Sequence, residues 1–257
     1  SASRVRSFLK AVIFFMFKDL SKKAKESVII PAYMVLILWV IHTLQFVTGI
    51  SLGQLGVFPR ELWGLKGVIF SPLIHGDWGH LISNTPPLFV LSAMILFFYR
   101  RIAVPAFIMI YLLTGMAVWA FADLFEMARH FHIGASGVIY GLVAFVFWNG
   151  VFRRNIRSIA LALIMVFYYG SMVYGVLPGQ EGISWESHLL GALVGIFTSF
   201  WYKDVIEKDE ERQPYSWETE DESEEKFFLD RDTFERTKME REQERNDQFP
   251  NWFSNRT

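Results

Sequence analysis

Three short clusters hold the residue types that acyl transfer needs. Ser136 sits in Gly134-Ala135-Ser136-Gly137, His188 in Ser187-His188-Leu189-Leu190-Gly191, and His80 and Asn84 in His75-Gly-Asp-Trp-Gly-His80-Leu-Ile-Ser-Asn84. A serine hydroxyl is a weak nucleophile until a base within about 3 Å takes its proton. Near neutral pH the usual base is a neutral histidine. A serine in the first turn of a helix also lies beside free backbone N–H groups and the positive end of the helix dipole. Those features stabilise a negative oxygen on a tetrahedral intermediate. His80 and Asn84 are four apart, share one helix face, and can each donate a hydrogen bond without carrying charge.

Each cluster alone has a plainer meaning. Small residues with a serine are common at helix starts and close helix contacts. Ser136 and His188 could simply pack and hydrogen-bond, and His80 and Asn84 could pin a loop to a helix end. His75 is expected to do only the latter. A metal site at His75 and His80 is not expected, because further ligands are lacking. Two glycine pairs raise the value of the combination: Gly137 with Gly141, and Gly191 with Gly195. Each pair makes a small-residue stripe that lets a neighbouring helix come close. If the stripes meet, Ser136 and His188 share one depth on touching helices. His132 is the nearest competing base in sequence. It precedes the Ser136 helix and is expected to point to solvent.

The elements that must hold these residues are apolar. Of the 257 residues, 52% are hydrophobic and 17% aromatic, above the average for soluble domains. Windows 27–59, 78–99, 102–122, 130–152, 158–180 and 187–202 contain no Asp, Glu, Lys or Arg. A helical span takes about 20 mostly apolar residues. The last window reaches that length once Trp185 and the ends are included. Hydrocarbon cannot solvate peptide groups, so the windows must be helices. The expectation is an all-α membrane protein of six spans. The absence of cysteine excludes disulfides and thiolate chemistry.

Basic residues orient such a bundle. Seven precede the first span, two follow the second and three follow the fourth, whereas the alternate loops carry only Arg60, Lys66 and Arg129. Both termini are therefore expected in the cytoplasm, with loops 51–77, 123–135 and 176–184 outside. Residues 1–27 read as a basic amphipathic segment at the interface. Residues 28–202 form the core. Residues 203–257 carry 18 acidic and 10 basic residues. They read as a cytosolic tail, disordered or a solvated helix.

Taken together, His80-xxx-Asn84, Gly134-x-Ser136-Gly137 and His188-xx-Gly191-xxx-Gly195, on the second, fourth and sixth spans, resemble the rhomboid intramembrane proteases. The resemblance covers about 28–202. It implies a six-helix bundle with a submerged loop between the first two spans, and a Ser136–His188 dyad without a third acid. It also implies an oxyanion hole from the Ser136 backbone N–H, His80 and Asn84, and a stack of Tyr140 on His188. The implied partners are transmembrane protein substrates and the lipid bilayer, in a bacterial-type inner membrane, with no cofactor, metal or nucleic acid. The family's loop often shows Trp-Arg, whereas here Arg60 precedes Trp63 by three residues, which leaves the loop's anchoring open. A silent relative that binds or escorts membrane proteins would lack the Ser or the His. A transporter would place ionisable residues along a path.

Overall fold

A computed structural model of the chain describes residues 2–124, 129–178, 184–205, 207 and 237–248. The chain divides into two units, Ser1–Glu210 and Glu211–Thr257. Among the described residues the first holds six long helices in chain order: α1 (Ala2–Thr48), α2 (Trp78–Phe98), α3 (Ala103–Phe121), α4 (Ser136–Arg153), α5 (Ile156–Tyr169) and α6 (Trp185–Trp201). The second holds α7 (Lys238–Gln248). Its start is a capping box, in which Thr237 and Glu240 exchange side-chain-to-backbone hydrogen bonds. The sequence Thr237-x-x-Glu240 signals it.

Among the described residues, five segments are long and apolar enough to cross a membrane: Lys22–Thr48, Trp78–Phe98, Ala103–Phe121, Ser136–Arg153 and Ile156–Val176. Their outward faces carry large apolar side chains such as Val47, Leu163 and Phe167, 65% or more exposed. Water would not tolerate so much exposed apolar surface, and lipid does. The chain is a multi-pass integral membrane protein. α6 has 17 residues and rises about 25 Å.

Element ends follow local chemistry. α1 stops at Thr48, within the first charge-free window, because Gly49 turns the backbone to φ +69°. The fifth window divides at Tyr169, where α5 passes into a 3-10 segment, Gly170–Val176. Asp77 caps α2 by accepting from His80 N at 2.9 Å. α4 packs most extensively against α6, and also against α5. Leu81, Leu91, Ile110, Ile139, Leu142 and Phe145 fill the centre.

The link between α1 and α2 is a series of short turns, Gly53–Leu55, Leu62–Lys66, Gly67–Phe70 and Ser71–Leu73. Arg60 anchors it. Its guanidinium donates to Ala122 O and, at 3.1 Å, to Asp123 O, and its backbone N–H donates to Trp119 O at 2.9 Å. A cation thereby satisfies the free carbonyls at the C-terminus of α3. Trp63 instead stacks on Phe58 at 4.8 Å. The two residues hold the loop separately, so they need not be adjacent.

Candidate active site

Ser136 is the first residue of α4, and the residue before it, Ala135, offers no side-chain cap. The first-turn N–H groups of α4 thus keep their donor capacity toward anything that approaches Ser136. Gly134 makes the sharp entry, at φ +106°, with its N–H bonded to Ser71 O at 2.8 Å. A Cβ there would overlap the His80 ring at Cε1 and Nε2. His80 therefore presents its Nε2 edge to the run that leads into Ser136. Asn84, one turn along α2, is 5% exposed, and its Nδ2 has no hydrogen-bond partner among the described residues.

His188 comes from α6. Its Nδ1 lies 2.8 Å from Gly175 O. A carbonyl can only accept, so Nδ1 carries the proton and the lone pair of a neutral ring is on Nε2. The ring stacks on Tyr140, one turn after Ser136, with centroids 4.1 Å apart and planes 10° apart. Tyr140 donates to Met172 O at 2.8 Å. The 3-10 segment reaches this pair closely: a Cβ on Gly175 would overlap the Tyr140 hydroxyl.

The glycine stripes meet. A Cβ on Gly191 would overlap Gly137 O, and one on Gly195 would overlap Gly141 O. Backbone lies against backbone, which brings the starts of α4 and α6 together. Ser136, Tyr140, His188, His80 and Asn84 all line one cavity of ≈ 880 Å³. Ser136 Oγ and His188 are not hydrogen-bonded to each other. Such catalytic bonds commonly tighten only when substrate arrives.

The rhomboid domain family matches residues 59–204, more than half of the chain. The chain belongs to the rhomboid family. It is 35% identical to "Uncharacterized protein Rv1337" of Mycobacterium tuberculosis over 170 residues, 65% of this chain and 71% of that protein. It is 34% identical to "Uncharacterized protein ML1171" of Mycobacterium leprae over 173 residues, 64% and 66% of the two chains. "Putative rhomboid protease YdcA" of Bacillus subtilis is 26% identical over 181 residues, 66% and 78%.

Two further histidines of this rhomboid lie near the site, and one of them, His132, departs from the sequence-based expectation. His75 is 2% exposed and packs edge-on against His80, with centroids 4.9 Å apart. Burial, then the imidazoles of His80 and His42, push it down to about 4. His75 thus stays neutral and presents no charge to His80. His132 does not point to solvent. It is 8% exposed, its Nε2 lies 3.2 Å from Asp123 Oδ1, and its Nδ1 lies 2.7 Å from Ser184 Oγ. Its backbone also pairs with Val57 through two 2.9 Å bonds. Asp123, His132 and Glu186 are all buried, and their ligand-type atoms fall within 4.8 Å of one another. Sequence reasoning missed this cluster, because its members are up to 63 residues apart.

Proposed function

We propose that this rhomboid is an intramembrane serine endopeptidase with six spans, cleaving transmembrane helices of single-span proteins near the outer membrane face. The observation that carries the reading is the state of His188. Its Nδ1–H is held by Gly175 O, its ring is stacked on Tyr140, and its Nε2 is left as a base on the cavity that Ser136 also lines. Ser136 begins a helix with no side-chain cap.

The substrate helix enters sideways past α5, whose Leu163, Phe167 and Tyr168 project outward, and unwinds at the cavity. His188 Nε2 takes the Ser136 proton as Oγ attacks the peptide carbonyl. The oxyanion is held by the Ser136 N–H, His80 and Asn84. The C–N bond breaks as His188 returns the proton to the leaving amine. Water, deprotonated by His188, then releases the acyl group. Without a third acid, Gly175 O and Tyr140 orient the imidazole. The positive charge excess around 1–25, 100–101 and 153–157 supports cytoplasmic termini.

A silent, substrate-escorting rhomboid draws on one observation, the missing Ser136–His188 hydrogen bond. One experiment separates the two: labelling by a serine-directed fluorophosphonate, together with cleavage of a single-span substrate in liposomes. The protease labels and cleaves, and Ser136→Ala does neither. A wild-type protein that does neither is the escort.

A further inference from the structure

The buried cluster at Asp123, His132 and Glu186 joins the two chain segments that deliver the candidate dyad. His132 lies four residues before Ser136, and Glu186 lies two before His188. Glu186 is in the first turn of α6, where a carboxylate suits the helix dipole. Both of its oxygens accept from Asp123 N, each at 3.0 Å. The Asp123 carboxylate turns the other way, taking His130 N at 2.7 Å on Oδ2 and pairing with His132 on Oδ1. The other His132 nitrogen reaches Ser184 Oγ, the cap of α6, and Ser184 Oγ also meets Ser187 Oγ at 2.7 Å. The contacts thus run from the Ser136 approach, through Asp123, to the first turn of the His188 helix and back.

Hydrogen bonding favours a brace over a metal site. Both ring nitrogens of His132 already face protein oxygens, Asp123 Oδ1 and Ser184 Oγ, and the Glu186 oxygens are taken up by Asp123 N. Buried polar groups that satisfy one another resist rearrangement, and removing one leaves its partners without a hydrogen bond.

We infer that Asp123, His132 and Glu186 are positioning residues, a buried brace that sets the height of the His188 helix start against Ser136. The inference rests on the protease reading. The glycine stripes fix how close the α4 and α6 axes lie. Smooth stripes of this kind leave sliding along the axes and rotation about them weakly resisted. The brace supplies that constraint, at the end of the bundle where the chemistry lies. None of its three members needs to touch substrate.

The test measures kcat and KM for single-span substrate cleavage in liposomes, with fluorophosphonate labelling alongside. Glu186→Ala should lower kcat by about a hundredfold, as misplacements near 1 Å do, with KM within about twofold and labelling slowed in parallel. Glu186→Gln still accepts from Asp123 N and should keep kcat within about threefold, a rescue that charge loss alone would not give. Asp123→Gly is a second variant, in case Glu186→Ala fails to fold. Asp123 is at φ +52°, which glycine adopts without strain. It removes the carboxylate that pairs with His132 and accepts from His130 N, leaves the Asp123 N–H to Glu186 in place, and should also lower kcat at constant KM. Wild-type kcat in both Glu186→Ala and Asp123→Gly overturns the brace. So does activity lost to a chelator and restored by zinc, because the three groups would then be ligands. A wild-type chain that neither labels nor cleaves defeats the protease reading first, and this one with it.

Discussion

The ring of Tyr140 lies parallel to that of His188, with centroids 4.1 Å apart and an interplanar angle of 10°. Tyr140 is itself held by its hydroxyl bond to Met172 O. The imidazole is therefore clamped between a flat aromatic face and a backbone acceptor, Gly175 O. Tyr140→Phe keeps the face and loses one hydrogen bond, worth about 1 kcal/mol. It should slow cleavage by about tenfold or less. Tyr140→Ala frees the ring and should cost about a hundredfold in kcat. Cleavage kinetics of both variants check this, and equal rates for Phe and Ala would remove the stack from the account.

Gly191→Val tests the helix approach. A Cβ at 191 already overlaps Gly137 O, which is backbone and cannot rotate away. The variant should insert and fold, yet part α4 from α6 and cut kcat by about a hundredfold or more. Normal cleavage by a folded Gly191→Val protein would show that the stripes do not set the distance between Ser136 and His188.

Much of this arrangement is legible in the sequence. Charge-free windows announce the spans because lipid tolerates few exceptions. The Gly137/Gly141 and Gly191/Gly195 spacing announces the close helix pair, because small residues four apart share a face. Other parts are not legible. The end of α1 at Thr48 depends on the local turn at Gly49, while the charge-free window runs on to residue 59. The acceptor for His188 is a carbonyl, Gly175 O, and backbone acceptors leave no mark on side-chain patterns. His132 reads as a loop residue because its partners, Asp123, Ser184 and Glu186, come together only once α3 and α6 have packed.

The entry to α4 can be tested at Gly134 and its neighbours. Gly134→Ala must strain φ +106° and drive a methyl into His80. It should lower kcat more than either His80→Ala or Asn84→Ala. Removing one oxyanion donor typically costs about 10²–10³-fold. With other donors remaining, each alanine variant should fall at the lower end and still label with fluorophosphonate. Single-turnover labelling and cleavage rates check this. A His80→Ala/Asn84→Ala double variant with wild-type turnover would exclude both from the site.

Topology is tested by reporter fusions. Twelve basic residues on one set of loops against three on the other predict cytoplasmic signals after Arg154 and within 208–236, and an external signal near Gly179. The reversed pattern would put the Ser136 end of the bundle on the cytoplasmic side.

The central claim is that Ser136 and His188 act as one unit in a proton transfer. Partners in a single step are not additive, because removing either already abolishes it. The measurement is cleavage of a single-span substrate in liposomes by Ser136→Ala, His188→Ala and the double variant, at matched protein incorporation. The account predicts the same background rate for all three. Cleavage surviving in Ser136→Ala, or a double variant much slower than either single one, would contradict it.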